Sequence, residues 1–460
     1  MVEPPSPDSQ HKILIVGAGI GGLAMALSLH ANGFTDVHVF EAASDLTAMG
    51  AGINLRPSAI LVLRSLGLLQ ALGTTGIEIR ELNTYNRHGN FVLRIDRGRE
   101  AGYHLPEISI YRGDLQMLLL SAVKERLGES TIHLNHALTS FDQNASSITA
   151  HFSQGTDGAP TELPSVTGDL LIAADGINSA ARALLHPYEN LPRFSSMMTW
   201  RGCTARDQFP AGDTGVNIVW AGHNDQTFIA YPISRRSGVE GKPLLVHWIA
   251  QLRVPPKTPV DAMPWLSKLK IGDESDKALT PPLQLDWTIP GKKEDFAEQF
   301  AGWSCRGLDV ADLIQDTETV YEFPLSDRDA AEQRSHGRLV LLGDAAHAMY
   351  PFGSNGASQA IIEADKLARI LFCASSPVPQ QLKNFMEERR ALFAQRIWQA
   401  QAQGPDHLLQ EVEETAPNGF QSVHDVVSPE DFNQFDAIYK EDTEVSISRY
   451  NMTVLILTST

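Results

Sequence analysis

The sequence predicts an α/β chain: a Rossmann-like dinucleotide-binding frame, interleaved with a mostly antiparallel β-sheet domain and followed by a helical C-terminal segment. Three observations carry that reading. Short apolar runs such as Lys12–Gly17 and Asp169–Ala174 enter glycine or Asp-Gly turns and then helix-forming sequence, the pattern of buried parallel strands in βαβ units. Between about 190 and 325 the texture changes to strand-like stretches, Thr227–Ile233 and Pro243–Leu252 among them, separated by Pro- and Gly-containing turns. Residues 377–403 predict a long amphipathic helix after a Pro-rich start.

Taken in order, residues 1–11 are polar and Pro-rich, which predicts a disordered tail without an apolar signal core. Lys12–Gly17 predicts the first strand, Ile20–Asn32 a helix with Leu23, Leu27 and Leu29 among small alanines, and Val37–Glu41 the next strand, so residues 12–41 form one βαβ unit. Asp169–Ala174 and Arg338–Gly343 predict further buried strands. The expected division is a discontinuous dinucleotide-binding domain at 12–84, 111–187 and 326–376, and a substrate domain at 85–110 and 188–325. The helix and an acidic tail then fill 377–460, with 404–450 expected as a solvated face.

Composition narrows the function classes. With 55 Asp plus Glu against 37 Lys plus Arg the formal charge is −18, which opposes phosphate backbones and anionic lipid, so no nucleic-acid partner is expected. Cys203, Cys305 and Cys373 are widely spaced and form no CxxC, which argues for a reducing, cytoplasmic setting and against a structural metal site. No apolar run approaches the length of a membrane span. A monomer or homodimer is expected.

Gly17-Ala-Gly19-Ile-Gly-Gly22 is a GxGxxG segment between a strand and a helix, and Glu41 ends the following strand. Gly17 permits the tight turn, Gly19 lets the backbone approach a pyrophosphate, and Gly22 lets helix and strand pack closely. Glu41 can accept both ribose hydroxyls, and its charge repels a 2′-phosphate. That constellation fits FAD or NAD alike.

Two later motifs separate them. Leu170–Arg182 is a strand entering the Asp175-Gly176 turn and then a polar helix start. Leu341–Gln359 places Asp344 at a strand end, where it can hold a ribityl hydroxyl, and runs through a Pro/Gly loop to a helix near Gly356 whose N–H groups suit the anionic edge of a reduced flavin. These residues resemble the single-component, FAD-dependent aromatic hydroxylases of the p-hydroxybenzoate hydroxylase class, over about residues 12 to 400. The likeness includes GAGIN at Gly50–Asn54, YRGDLQMLLL at Tyr111–Leu120, TWRG at 199–202, AYPIS at 230–234 and GDAAHAMYPFGSNGASQA at 343–360. The subgroup that looks most similar is the bacterial 5-methylphenazine-1-carboxylate 1-monooxygenase type, with fungal salicylate-type hydroxylases sharing the pattern.

The resemblance implies FAD as cofactor, NAD(P)H as co-substrate, and oxygen transfer from a flavin C4a-hydroperoxide to an electron-rich aromatic. Position by position it implies Glu41 on the adenosine ribose and Gly52 near the flavin. Arg112 is placed on the FAD phosphate and ribityl region, Asp344 on the ribityl chain, Ala357 at the isoalloxazine, and Asp175 on FAD and the transient nicotinamide pyrophosphate. Arg201 and Tyr231 are the expected catalytic pair, the first stabilising a developing oxyanion, the second relaying or holding the proton. His347 is expected to support its loop and stands outside the catalytic set.

Competing readings remain distinct. A nicotinamide dehydrogenase leaves the 343–360 motif unexplained. A tryptophan halogenase requires WxWxIP, of which Asp286-Trp287-Thr-Ile-Pro290 has only the second half. An epoxidase or Baeyer–Villiger-type oxygenase uses the same fold, and a non-catalytic FAD-binding scaffold is the alternative from another class.

Overall fold

A computed structural model describes the chain outside residues 1–10, 49, 156–159, 190–191, 211, 214–215, 235–242, 255–269, 272–278, 281–286, 329–334, 350–355, 374–375, 390–404, 431, 433–450 and 452–460. The expected tail at 1–11 therefore lies almost wholly outside the described residues, as do the Pro/Gly loop before Gly356 and the end of the expected tail at 452–460.

Ile13–Val16, fully buried, forms the centre of a six-stranded sheet. It pairs in parallel with Val37–Phe40 on one side and Leu170–Ala173 on the other, and Leu339–Leu341 follows in parallel. Burial on both faces explains why these strands read as continuous apolar runs. The helix Ile20–Ala31 packs on this sheet with Gly356–Cys373 and Arg112–Leu127 beside it, through a core that includes Leu23, Leu27, Leu115 and Ile361.

The second layer is a seven-stranded sheet in the order Val320–Asp327, Arg193–Arg206, Leu244–Arg253, Gln226–Ser234, Asn217–His223, Glu81–Tyr85, Phe91–Asp96. Every neighbouring pair is antiparallel except Asn217–His223 with Glu81–Tyr85. Trp200, Phe228, Ala230 and Trp248 fill the core on one face of this sheet. Alternation sends Arg201, Cys203, Tyr231 and His247 to the opposite face, because Tyr231 and Cys203 both stand across from His247 in the ladders.

The structure moves two boundaries. Glu81–Tyr85 already belongs to the second sheet, while Glu107–Tyr111 pairs with Gly52–Leu55 and Ile77–Ile79 in a three-stranded sheet. The chain thus crosses at 81 and is back by 107. Glu81–Tyr85 is buried throughout, so no alternation marks its change of sheet. The described helix after the Pro-rich start spans 378–389, and the remainder of the expected helix falls outside the described residues.

The acidic stretch after 404 is a structural correction. Pro405–Thr415 is a helix that buries Leu408, Leu409 and Val412 against Ile218 and Trp220 of the second sheet. Its acids dominate the composition and mask an apolar stripe at i, i+1 and i+4. Among the described residues no helix is long and apolar enough to cross a membrane.

Leu409 is 1% exposed. Leu409→Ala should lower stability by about 2–5 kcal/mol through lost transfer energy and a cavity, read as a lower melting temperature. A solvated tail would leave the melt unchanged.

Candidate functional site

The glycine loop is built by steric necessity. Gly17 has φ +98°, and a Cβ there would strike the Ala174 carbonyl at the end of the neighbouring strand. A Cβ on Gly22 would strike the Gly17 carbonyl, so helix and loop close only without a side chain. Gly19, the N-cap of Ile20–Ala31, has open space where its Cβ would stand and no side-chain cap. An uncapped helix N-terminus facing open space fits a pyrophosphate.

Glu41 lies at the same end. Its Oε2 accepts from the Ala18 N–H at 2.8 Å and its Oε1 from the Ala43 N–H at 2.9 Å, so the carboxylate is aimed before any ligand arrives. Gln116 Nε2 donates to the Ala18 carbonyl at 2.9 Å, tying the Arg112–Leu127 helix to the glycine loop. Arg112 opens that helix, and its aliphatic stem packs on Gly50. Burial lowers the Arg112 guanidinium from its ordinary range, and the Asp344 carboxylate partly offsets this.

Asp175 follows Leu170–Ala173. Its Oδ2 accepts from the Ala181 N–H at 3.2 Å, while its Oδ1 is buried without a hydrogen-bond partner among the described residues. Burial raises its carboxyl, with hydrogen bonding from Ser179 acting the other way. An orphaned carboxylate oxygen beside the glycine loop fits a hydroxyl-bearing ligand.

Asp344 begins the short helix Asp344–His347 after Gly343, whose φ is +62°. Its side chain stays accessible, yet enough protein surrounds it to push its carboxyl up, against the pull of His347 and Arg112. A Cβ on Gly356 would lie 3.9 Å from Asp344 Oδ1, which sets this carboxylate beside the start of Gly356–Cys373, with Ala357 half-buried in the same turn.

Beneath it lies a cluster that sequence reasoning missed. Glu363, 2% exposed, accepts from the Gly343 N–H at 2.9 Å, bonds His347 Nε2 at 2.9 Å and meets Arg389 Nε at 3.3 Å. Burial would raise its carboxyl, but His347 and Arg389 hold it below the usual carboxylate range. His347 is thus engaged in holding the loop. The signal for Glu363 was an acid inside the apolar run Ile361-Ile-Glu-Ala364.

Across the cleft stands the second sheet. Gly52 opens its strand so close to this sheet that a Cβ would lie 2.6 Å from Ile233 Cγ2 and 2.8 Å from His247 Cβ. Tyr231, buried, donates from its hydroxyl to the Gly52 carbonyl at 3.0 Å, and its ring stands edge-on to His247 at 5.3 Å. Burial raises the Tyr231 phenol, and Cys203 adds to this while Arg201 opposes it. His247 Nδ1 lies 3.0 Å from the Gly202 carbonyl, so this nitrogen carries the proton. Burial and the Arg201 charge push its pKa down to about 3, which keeps the imidazole neutral.

Arg201 shares this face. Its Nη2 donates to the Trp287 carbonyl at 2.7 Å, its guanidinium lies 4.6 Å over the Trp287 ring, and its Nε is buried without a partner among the described residues. Burial and repulsion from Arg112 lower its pKa to about 10, so it stays charged at neutral pH. Structure therefore brings Glu41, Arg112, Asp175, Asp344 and Ala357 around one end of the first sheet, and Gly52, Arg201 and Tyr231 to the seam with the second. Among the described residues no cluster of His, Cys, Asp and Glu is arranged to hold a metal ion.

Comparison with known proteins agrees with this architecture. The FAD binding domain family matches residues 10–401. A phenazine 1,6-dicarboxylic acid hydroxylase of Lysobacter antibioticus is 38% identical over 384 residues, 83% of this chain and 87% of that protein. A salicylate hydroxylase of Pseudomonas putida is 28% identical, covering 78% of this chain and 76% of that one. In structure the chain resembles a salicylate hydroxylase substrate complex with a TM-score of 0.67 at 20% identity, covering 96% of each chain. Klebsiella pneumoniae HpxO complexed with FAD and uric acid gives a TM-score of 0.60 at 20% identity over 97% of each. This chain belongs to the FAD binding domain family, among its FAD-dependent aromatic monooxygenases.

Proposed function

We propose that the protein uses NAD(P)H and O2 to hydroxylate an electron-rich aromatic acid or phenol. The observation that carries this reading is Arg201: a desolvated guanidinium, with a buried N–H lacking a partner among the described residues, on the sheet face that meets the Gly52 loop. The names of the Lysobacter and Pseudomonas relatives, each an aromatic carboxylate hydroxylase, support it. The free thiols of Cys203, Cys305 and Cys373 accord with a reducing, cytoplasmic setting.

In this reading the uncapped helix after Gly19 holds the FAD pyrophosphate, Glu41 the ribose, Asp344 the ribityl chain, and Arg112 the phosphate and ribityl region, while Asp175 supplies its spare carboxylate oxygen and Ala357 borders the ring system. FAD held by these residues would supply the redox chemistry that links NAD(P)H, O2 and the substrate ring. The chain's residues do the rest. Arg201 attracts a substrate oxyanion and stabilises charge that develops on the phenolic oxygen. Tyr231 keeps its proton on the Gly52 carbonyl, so its hydroxyl oxygen serves as a fixed acceptor that orients a substrate hydroxyl. The neutral His247 beside it adds no competing charge.

Loss of the carboxylate in Glu41→Ala or Asp344→Ala should weaken FAD binding, since a hydrogen bond to a charged group contributes about 1.5–3 kcal/mol. Flavin occupancy after dialysis reads this directly, and full occupancy in either variant removes that residue from the cofactor site.

Arg201→Gln and Tyr231→Phe should retain FAD and still consume NAD(P)H, but release hydrogen peroxide in place of hydroxylated product. A positioned acid–base or charge-stabilising group contributes about 10²–10⁴-fold, enough for uncoupling to dominate. Peroxide yield per NAD(P)H, measured over a panel of aromatic acids and phenols, tests the reading. Tightly coupled turnover in both variants, or no substrate-triggered NAD(P)H oxidation by the wild type, would overturn it.

A further inference from the structure

Arg389 lies outside every cofactor motif, at the end of the described helix at 378–389. That helix docks on the first core through Val378, Leu382, Phe385 and Met386, a stripe at helical spacing. The next position in the stripe is 389, which calls for an apolar side chain. A guanidinium is buried there, and Arg389 is 4% exposed.

Its two arms reach one face of the helix Gly356–Cys373. Nη2 donates to Gln359 Oε1 at 2.9 Å and Nε to Glu363 Oε1 at 3.3 Å, partners one turn apart at i and i+4. Glu363 passes the grip on, since it accepts from the Gly343 N–H at 2.9 Å and bonds His347 Nε2 at 2.9 Å. Gln359, Glu363 and His347 are buried as well. One side chain therefore ties three pieces of chain together: the helix at 378–389, the first turns of Gly356–Cys373, and the Gly343 turn.

The last two carry groups assigned to the flavin. Ala357 stands in the first turn of Gly356–Cys373, and Asp344 Oδ1 lies 3.9 Å from where a Cβ on Gly356 would be. Ser358 Oγ accepts from the Arg56 N–H at 3.1 Å, which ties the same turn to the end of the strand Gly52–Leu55.

A buried ion pair is weak evidence for stability, because apolar side chains of the same volume often do as well or better. What a guanidinium adds is direction. Its planar fork meets two acceptors at fixed angles, which an apolar contact does not specify.

We propose that Arg389 is a positioning residue for FAD: through Gln359 and Glu363 it fixes the start of Gly356–Cys373 against the Asp344 carboxylate, and so sets flavin affinity and reduction potential. This rests on the reading of Asp344 and Ala357 as flavin contacts. N–H groups at that helix start favour the added negative charge of a reduced flavin. A helix start moved from its place therefore weakens FAD binding and makes the potential more negative.

Three variants test this. Arg389→Met strands the Glu363 carboxylate, Glu363→Gln leaves the guanidinium without its counter-ion, and the double variant removes both charges while keeping the volume. The melting temperature of the flavin-free full chain, the FAD dissociation constant and the midpoint potential of the bound flavin are measured in each. Leu409→Ala, remote from this cluster, serves as a destabilised control. Both single variants should melt lower. The double variant should recover most of that loss, yet bind FAD about tenfold more weakly than wild type, the equivalent of one charged hydrogen bond made poorly. Its flavin potential should be more negative. Leu409→Ala should melt lower with affinity and potential unchanged. Wild-type FAD affinity and potential in the double variant overturn the proposal whatever its melt, as do the same flavin changes in Leu409→Ala. Unchanged FAD affinity in Asp344→Ala would overturn the placement of Asp344 at the flavin, a separate failure.

Discussion

The contact on which the site depends is the approach of Gly52 to the second sheet. Two sheets of different topology meet at a backbone with no side chain, where a Cβ would lie 2.6 Å from Ile233 and 2.8 Å from His247. The Tyr231 hydroxyl closes the same contact by donating to the Gly52 carbonyl at 3.0 Å. Because packed interiors transmit displacement instead of absorbing it, the seam sets how far Arg201 stands from the cofactor motifs. Tyr231 thereby fixes the Gly52 loop against the face that also carries Arg201.

A second constraint holds the other wall. Glu363 is a desolvated carboxylate that survives as a charge because Gly343 N–H, His347 and Arg389 surround it. Breaking a buried ion pair by removing one partner typically costs about 3–5 kcal/mol, since the remaining charge is stranded. The Gly343 turn, which must run at φ +62°, is thereby locked in front of Asp344. Arg389 comes from the helical segment after the Pro-rich start, so that segment supports the Gly343–Asp344 turn from behind.

What was legible in the sequence follows the range of the physics. Gly17 and Gly22 answer to local sterics within one βαβ unit, and their spacing announces them. Arg201, Tyr231 and the GAGIN loop were legible through resemblance, but the reason for Gly52 lies in residues about two hundred positions away and has no local trace. Glu363 was missed because an acid in a helix ordinarily faces solvent; only its place in an apolar run hinted otherwise. The helix Pro405–Thr415 was hidden by its own acids, which dominate composition while Leu408, Leu409 and Val412 do the packing. Glu81–Tyr85 changed sheets without a signal because both of its faces are covered.

Charge then separates the cleft from the rest of the molecule. The chain carries −18 overall, yet its cleft gathers Arg112 and Arg201 closely enough that each is held below its ordinary range, by burial first and, for Arg201, by the other cation next. Two desolvated guanidinium groups are costly unless anions complete them. A pyrophosphate-bearing cofactor such as FAD would relieve part of that cost. The acidic exterior repels anions at long range, whereas Arg112 and Arg201 act at close contact, where screening by solvent is weakest.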